Sequence, residues 1–153
     1  MGIDMTTFVE VREAGGWRSL HLDEAIQKDF RAASFRQEIW AEDDNEVAKR
    51  LQTFGYKERN YRLFAAISGA ANNSLNIPKV ATVRGLPKDM GIIATEYLEH
   101  SSGIYPTWLT LAELFTYDWN AYDIQAPDFL VFLDVLKAMG EPEDVRVIFT
   151  FFQ

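Results

Sequence analysis

The sequence predicts one α+β domain over residues 1–153, in which a small, mostly antiparallel sheet contains the N- and C-terminal strands and several helices cover it. The first supporting observation is "TTFVEVR", an alternating stretch that puts Val9 and Val11 on one face. The second is "EDVRVIFTFFQ", which also alternates but is apolar on both faces. Because a strand buried on both faces usually lies inside a sheet, the C-terminal strand is predicted to be central, beside the N-terminal one.

Length and composition agree with a single folded domain. The chain has 153 residues, of which 48% are hydrophobic and 14% are aromatic. That is long enough for one core and too apolar for a disordered chain. The sequence contains no internal repeat, low-complexity segment or linker that would divide it.

The first third of the chain predicts a hairpin and two helices. "AGGW" predicts a turn, with "WRSLHL" as the partner of the first strand. A helix is predicted in "DEAIQKDFRAASF", capped by Asp23, with Ile26, Phe30 and Ala33 along one stripe. A second is predicted in "AEDDNEVAKRLQTFG", beginning at residue 44 or 45 and ended by Gly55.

The remaining segments predict four more helices and one irregular stretch. "ERNYRLFAAISGA" and "IIATEYLEH" predict helices, and residues 77–90, with two prolines, predict an irregular connection. "TLAELFTYDW" is predicted to start with a capping box made by Thr110 and Glu113. "APDFLVFLDVLKAMG" predicts a helix with Pro127 in its first turn and Gly140 at its end.

Charge and cysteine content exclude several functions. The net charge of −8 repels nucleic acid and anionic membrane surfaces, so neither is an expected partner. The sequence has no apolar run of the roughly 20 residues that a membrane helix needs. The absence of cysteine removes disulfides, thiolate metal sites and a cysteine nucleophile, and it fits the cytoplasm as the expected location.

Catalytic and metal-binding motifs are also missing. The two histidines, His21 and His100, do not form an HExxH motif, and the sequence has no GxGxxG, GxxxxGK[ST] or G-x-S-x-G motif. His100 begins a His-x-Ser unit like one half of a two-histidine phosphoesterase site, but His21 begins "HLD", whose third residue does not match. We therefore assign no catalytic residue, metal ligand or cofactor.

Three segments combine side chains suited to a small anionic ligand. Arginine forks bind phosphate, and aromatic rings or small hydroxyls contact a base or sugar. The candidate ligand-binding residues are Arg59, Asn60, Tyr61, Arg84, His100, Ser101 and Trp108.

Each of these residues also has a purely structural interpretation. Tyr61 on a helix is typical of a core residue, and Arg84 can pair with one of many acids. Trp108 can pack as a hydrophobic staple ahead of the Thr110 cap. His100 is typical of a surface loop. Only convergence of the three segments in one cleft would favour binding.

Three motifs, "RNYRLFAAISG", "RGLPKD" and "HSSGIYPTWLTLAEL", closed by "GEPEDVRVIFTFF", resemble a family of small phage-encoded and bacterial proteins. The resemblance covers most of the chain and is weakest over residues 23–55. Family members often carry a continuous "HSxSWLTLxEL" run, whereas here residues 103–107 separate Ser102 from Trp108. No activity is assigned to the family, so the resemblance implies no catalytic residue. It implies a phage setting, in which small proteins act on host defences.

Our leading hypothesis is a non-enzymatic binding protein that sequesters a nucleotide-derived immune signal. Arg59 and Arg84 would hold phosphates, Tyr61 or Trp108 would stack on a base, and His100 with Ser101 would bond a sugar or phosphate. One alternative is an inhibitor that binds a host protein through an acidic, apolar patch. Another is a small hydrolase that uses His100 with a carboxylate. A homo-oligomer is compatible with the first hypothesis, because sites for small symmetric ligands are common at subunit interfaces.

Overall fold

A computed structural model describes residues 2–37, 53–71, 75–98 and 103–152. The strands are β1 (Asp4–Glu13), β2 (Gly16–Ser19), β3 (Arg36–Gln37), β4 (Thr53–Phe54), β5 (Ile104–Thr110) and β6 (Val145–Phe152). The helices are α1 (Leu22–Lys28), α2 (Tyr61–Ser68), α3 (Ile92–Leu98), α4 (Leu111–Thr116) and α5 (Pro127–Leu136), with 3-10 turns at Phe30–Phe35 and Pro142–Asp144. No helix in these ranges is long and apolar enough to cross a membrane.

The main sheet has the strand order β2-β1-β6-β5, and all its neighbours are antiparallel. The α+β fold and the central position of the C-terminal strand beside the N-terminal one are therefore confirmed. The β1–β6 register runs from Asp4 opposite Phe152 to Val11 opposite Val145. Every residue of β6 except Phe152 is buried, as its apolar pattern on both faces predicts.

The two faces of the sheet differ in what covers them. On the first face, Val9 and Val147 belong to the main core, which includes buried aromatic residues of α2 and α5. On the second face, Phe8 and Ile148 pack with Ala94 of α3. Alternation along β1 and β6 also puts Glu10 and Arg146 on this second face, opposite each other in register.

Most predicted elements are confirmed. The β1–β2 hairpin, the irregular stretch at residues 77–90 and helices α2 to α5 are present. Gly69 ends α2 with φ of 78°, in the left-handed region that favours glycine. Thr110 and Glu113 form the capping box of α4, and Pro127 begins α5. That helix ends at Leu136 rather than at Gly140, because Lys137 and the residues after it make i to i+3 backbone bonds.

The helix predicted from residue 23 to 35 is wrong in its cap and its length. His21 is the N-cap, and its Nδ1 accepts from the Asp23 amide at 3.1 Å. The helix ends at Lys28 because Asp29 takes an extended conformation. Its carboxylate instead binds the backbone and the guanidinium of Arg31. The predicted stripe fails accordingly, since Phe30 is 81% exposed.

Two further expectations fail or fall outside the described residues. Most of the helix predicted to end at Gly55 lies in residues 38–52, outside the described residues. The predicted helix end is wrong, because Phe54 belongs to strand β4. The Phe54 amide donates to the carbonyl of Leu20, 3.0 Å away, which fixes this segment beside the hairpin. Strand β5 was not predicted, since its Pro106 and the preceding glycine are typical of a loop.

Candidate functional site

Arg84 and Trp108, two of the predicted binding residues, lie together on the second face of the sheet. The Arg84 guanidinium carbon is 4.5 Å from the Trp108 ring centroid, and its Nη1 donates to the Trp108 carbonyl at 3.0 Å. Both terminal nitrogens of Arg84 bind the Glu113 carboxylate. This pairing raises the pKa of Arg84 and lowers that of Glu113. Arg84 therefore already has an anionic partner.

These two residues are the outer end of a stack that we call the arginine–tryptophan ladder. Its members, in order across the sheet, are Arg12, Trp17, Arg146, Trp108 and Arg84. The successive guanidinium-to-ring distances are 5.3, 4.1, 5.4 and 4.5 Å. Each is within the range of a cation–π contact.

Carboxylates neutralise the ladder, which makes it a structural element. Arg146 is 2% exposed, and its Nη2 lies 2.6 Å from Oε1 of Glu10, which is fully buried. The other Glu10 oxygen accepts from the Gly91 amide at 2.7 Å, and Arg146 also binds Asp89 at 2.9 Å. Arg12 binds Asp144 at 2.6 Å. The ladder thus ties the segment at residues 84–91 to the sheet and leaves no arginine in it without a carboxylate.

Arg59, Asn60 and Tyr61 lie elsewhere, where the chain enters α2. Arg59 binds the Asp4 carboxylate at 3.0 and 3.1 Å. Asn60 is the N-cap of α2, its side chain accepting from the Leu63 amide. The Tyr61 hydroxyl accepts from the Ile3 amide at 3.3 Å, and 42% of this residue is exposed. These contacts anchor the N-terminal end of β1 and assign Asn60 a capping role.

Of the predicted binding residues that the structure describes, those at the start of α2 therefore lie apart from those of the ladder. Asp4, the partner of Arg59, pairs with Phe152 in the sheet, whereas Trp108 pairs with Ile148. At about 3.3 Å per residue, these positions are about 13 Å apart along β6. His100 and Ser101, also predicted, lie outside the described residues.

A cleft of about 430 Å³ includes the segment just before Arg59 in the sequence. It opens between the 3-10 turn at residues 30–35, the extended segment at residues 55–58 and the start of α5. Its size falls in the usual range for small-molecule sites. Its lining residues are Arg31, Ser34, Phe35, Gly55, Tyr56, Lys57, Glu58, Asp128 and Val131.

The floor of the cleft is fixed by β1 and by the aromatic core. Thr7 donates through its hydroxyl to the Tyr56 carbonyl at 2.9 Å, and a bridge pairs Met5 with Glu58. The Tyr56 ring lies 5.3 Å from the rings of both Phe129 and Phe132 and is 3% exposed. Only its hydroxyl end reaches the cleft, where it donates to the Glu58 carboxylate. The Glu58 side chain is therefore held by a tyrosine whose ring is packed in the core.

The cleft is lined by residues of both charges. Burial, followed by the nearby Asp128 carboxylate, raises the pKa of Glu58. Of the cations, Arg31 is held by Asp29 at 2.8 Å and by Asp134 at 2.9 Å, which raises its pKa. Lys57 is exposed at the rim. A titratable group whose pKa is shifted inside a cleft is a recognised indicator of a functional site.

A second concavity, of about 520 Å³, is lined by residues 119–127 and Leu130. The loop that forms it holds Tyr122, Asp123 and Gln125 at positive φ. Its polar side chains are partly engaged with each other, since Gln125 donates to Asp123 at 2.7 Å. Its lining contains the carboxylate of Asp123 but no lysine or arginine, so the first cleft is the better candidate for an anionic ligand.

Sequence reasoning missed the cleft residues Arg31, Tyr56, Lys57, Glu58 and Asp128. The available indicator was "GYKERN", in which three charged residues stand between a glycine and the Asn60 helix cap. Such a segment is charged yet not helical, which favours a surface role. Nothing in the sequence pairs it with the start of α5, because that contact joins residues about 70 positions apart.

The fold and the cleft define a small α+β protein with a side cleft of small-molecule size. Within the ranges that the structure describes, His, Asp and Glu side chains form no cluster of three that could hold a metal ion. Comparison with protein-family models, curated proteins and solved structures gives no match.

Proposed function

We propose that the protein is a non-enzymatic binding protein and that it captures a small nucleotide-derived ligand in the cleft between residues 30–35, 55–58 and the start of α5. The observation that carries this proposal is the presence of both charges in one cleft. Lys57 and Arg31 line it together with Glu58 and Asp128. A nucleotide has an anionic phosphate and a base with hydrogen-bond donors, so it needs both kinds of partner.

The remaining lining residues fit the same class of ligand. Phe35 is half-buried, so one part of its ring packs in the core while the rest faces the cleft. An exposed aromatic surface of this kind suits the face of a base. Ser34 is exposed at the rim and offers a hydroxyl for a sugar or phosphate oxygen.

This proposal keeps the ligand class that the sequence predicts and changes the residues that bind it. Arg84 would have to leave Glu113 to bind a phosphate, and Trp108 is engaged by two arginines. Arg59 follows Lys57 closely and has an exposed partner in Asp4, and exposed pairs contribute little. Arg59 is not among the residues that line the cleft, so we keep it only as a partner for a ligand group that extends beyond the cleft.

In the phage setting implied by the sequence resemblance, the ligand is a nucleotide-derived immune signal of the host. The protein then acts in the host cytoplasm by lowering the free concentration of that signal. Sequestration requires tight binding and unchanged recovery of the ligand, and both can be measured.

The first test is mass spectrometry of small molecules released from the purified, heat-denatured protein, followed by equilibrium dialysis against nucleoside mono-, di- and cyclic phosphates. We expect a nucleotide to be released unchanged. Lys57→Ala should weaken its binding by roughly tenfold or more, since a charge-assisted hydrogen bond is worth about 1.5–3 kcal/mol. The matched control is Lys88→Ala, which removes another exposed lysine remote in sequence from the cleft.

Three results would contradict the proposal. Failure of any nucleotide to bind at millimolar concentration would remove it. Equal losses of affinity in Lys57→Ala and Lys88→Ala would show that binding lies outside the cleft. Conversion of the bound nucleotide on prolonged incubation would favour the hydrolase alternative.

A further inference from the structure

We infer that the cleft selects guanine-type bases, because the Glu58 carboxylate lines it and a carboxylate can accept two adjacent N–H donors. This inference rests on the proposed function and adds the identity of the base. It starts from Tyr56, whose ring is held by Phe129 and Phe132 so that its hydroxyl is fixed in position. The hydroxyl donates to one Glu58 oxygen, Oε2, and so holds the carboxylate at the tyrosine end of the cleft.

The chemistry of Glu58 sets what its partner must be. An ionised carboxylate accepts hydrogen bonds and donates none, so a ligand group that it binds must be a donor. Within the described part of the chain, the Tyr56 hydroxyl is the donor to this carboxylate. The two oxygens have about four lone-pair sites between them, so most of their capacity is left for a ligand.

Asp128 strengthens the requirement for a donor. It stands in the first turn of α5 and lines the same cleft, and its charge contributes to the raised pKa of Glu58. Two like charges that face one cleft repel each other, and donors placed between them relieve this repulsion. The best ligand edge therefore carries more than one N–H.

Among the common bases, guanine fits this requirement best. Its pairing edge carries a ring N–H next to an exocyclic amino group, which matches the two oxygens of a carboxylate as an arginine fork does. The corresponding edge of adenine offers an amino donor beside a ring acceptor, and the acceptor would face a carboxylate. Uracil offers one N–H between two carbonyl oxygens. Both would leave an unfavourable contact at Glu58.

A polyamine would also supply donors to two carboxylates, but the cation at the rim of the cleft disfavours it. Lys57 is exposed there, whereas Arg31 is already paired with Asp29 and Asp134. Lys57 would repel a polycation and attract a phosphate. The mixed lining thus favours a base joined to a phosphate.

The test compares four nucleoside 5′-monophosphates, those of guanosine, inosine, adenosine and uridine, by titration calorimetry at one pH and salt concentration. Since all four carry the same ribose 5′-phosphate and differ only in the base, differences in affinity report the base. We expect guanosine monophosphate to bind at least about tenfold more tightly than adenosine monophosphate, the usual scale for a hydrogen bond to a charged group. Inosine monophosphate, which keeps the ring N–H and lacks the amino group, should be intermediate.

Two substitutions assign the effect to the cleft. Glu58→Gln keeps the size of the side chain and an acceptor for Tyr56, but it presents an amide to the base. It should weaken guanosine monophosphate and strengthen adenosine monophosphate, since the amide can donate to the adenine ring acceptor, so that the two affinities converge. Asp128→Asn should reduce the preference in part. Glu96→Gln, at an exposed position on α3, is the matched control and should retain the full preference.

The outcomes separate this inference from the proposed function. Equal binding of the four nucleotides by the native protein would overturn base selection and leave nucleotide binding intact. Binding of none would remove the proposed function itself. Displacement of guanosine monophosphate by spermidine at equal concentration, or an unchanged preference in folded Glu58→Gln, would overturn the inference about Glu58.

Discussion

At the scale of single residues, Glu58, which we propose to bind the base, carries a cost in stability. Its pKa is raised by burial and by Asp128, so its folded-state pKa is above the ordinary value of 4.5. A carboxyl group of this kind favours the folded state at low pH. That contribution is lost as the pH rises through the folded pKa, because ionisation is then easier in the unfolded chain. At neutral pH the carboxylate therefore destabilises the fold.

We expect Glu58→Gln to be at least as stable as the native protein at pH 7. The amide does not ionise, and its carbonyl still accepts from the Tyr56 hydroxyl. The advantage of the variant should shrink as the pH falls towards 4, where the native side chain is increasingly protonated. Urea unfolding at both pH values measures this. Lower stability of the variant at pH 7 would mean that the carboxylate stabilises the fold on balance.

A second prediction concerns the buried pair at the centre of the ladder. Arg146→Met fills much of the same volume but leaves Glu10 buried without its guanidinium, which should cost about 3–5 kcal/mol. Adding Glu10→Leu removes the stranded charge, so the double variant should regain most of the loss. Urea unfolding of both variants and the native protein measures this. A loss below about 1 kcal/mol in the single variant would contradict this prediction, since leaving a buried charge without a partner destabilises the fold by more than that.

At the scale of elements, α4 depends on its capping box. Thr110 accepts from the Glu113 amide at 3.2 Å, and Glu113 accepts in return from the Thr110 amide at 3.1 Å. Thr110→Ala should lower the free energy of unfolding by about 1 kcal/mol, the usual cost of losing an N-cap. Thermal unfolding measures it, with Thr82→Ala as a control at an exposed residue outside any helix or strand. Equal effects of the two substitutions would argue against the cap.

The irregular segment at residues 84–91 depends on a close approach at Gly91. A Cβ atom there would lie 2.9 Å from the Trp17 carbonyl oxygen and 3.0 Å from Oε2 of Glu10. Gly91→Ala should therefore push the segment off the sheet and cost about 1–3 kcal/mol, as other overpacking does. Hydrogen exchange should rise locally over residues 84–91. Gly15→Ala, where nothing lies within 4 Å, is the control.

The same elements explain what the sequence could predict. Strands β1 and β6 and the α4 cap could be predicted because each follows a local sequence pattern. The strands alternate with a period of two, and the cap has a Thr-x-x-Glu spacing. Strand β5 was missed because its proline is typical of a loop. The proline is tolerated in the strand because β5 lies at the edge of the sheet. The first helix was miscapped because Asp23 and His21 are both able to cap, and only the backbone at His21 is extended.

The candidate site was less predictable, for a similar reason. The sequence identified Arg84 and Trp108 as candidate binding residues but did not predict that they contact each other. It also did not predict that the Glu113 carboxylate pairs with Arg84. It identified Arg59 while missing Lys57 and Glu58 beside it. Whether a charged residue binds a ligand or a neighbour depends on long-range packing, which residue spacing does not encode.

At the scale of the whole molecule, a net charge of −8 is combined with many pairs between arginine and carboxylate. Guanidinium partners lower the pKa of Glu24 through Arg18 and that of Glu113 through Arg84. They do the same for four further carboxyl groups. These are Asp4, Glu13, Asp29 and Asp134. The fold therefore depends on carboxylates that stay ionised.

We expect the protein to lose stability in acid, below the ordinary pKa values of 4.5 for Glu113 and 3.8 for Asp134. A lowered folded-state pKa stabilises the fold above the unfolded-state value. This stabilisation is lost as the pH falls through the folded pKa, because the unfolded chain takes up protons first. Glu58 acts in the opposite direction, but it is one group against several. The free energy of unfolding, measured in urea between pH 7 and pH 3, should fall steadily over the acid part of this range.

Glu113→Gln isolates one contribution to that acid dependence. Glutamine keeps an acceptor for the Thr110 amide, so the capping box survives, but it neither titrates nor forms the ion pair with Arg84. The variant should therefore be less stable than the native protein at pH 7 and should converge with it near pH 3. If the difference in stability were the same at both pH values, the charge of Glu113 would contribute nothing and only the shape of its side chain would matter. The ion pair with Arg84, at the outer end of the ladder, would then have no part in holding residues 84–91 on the sheet.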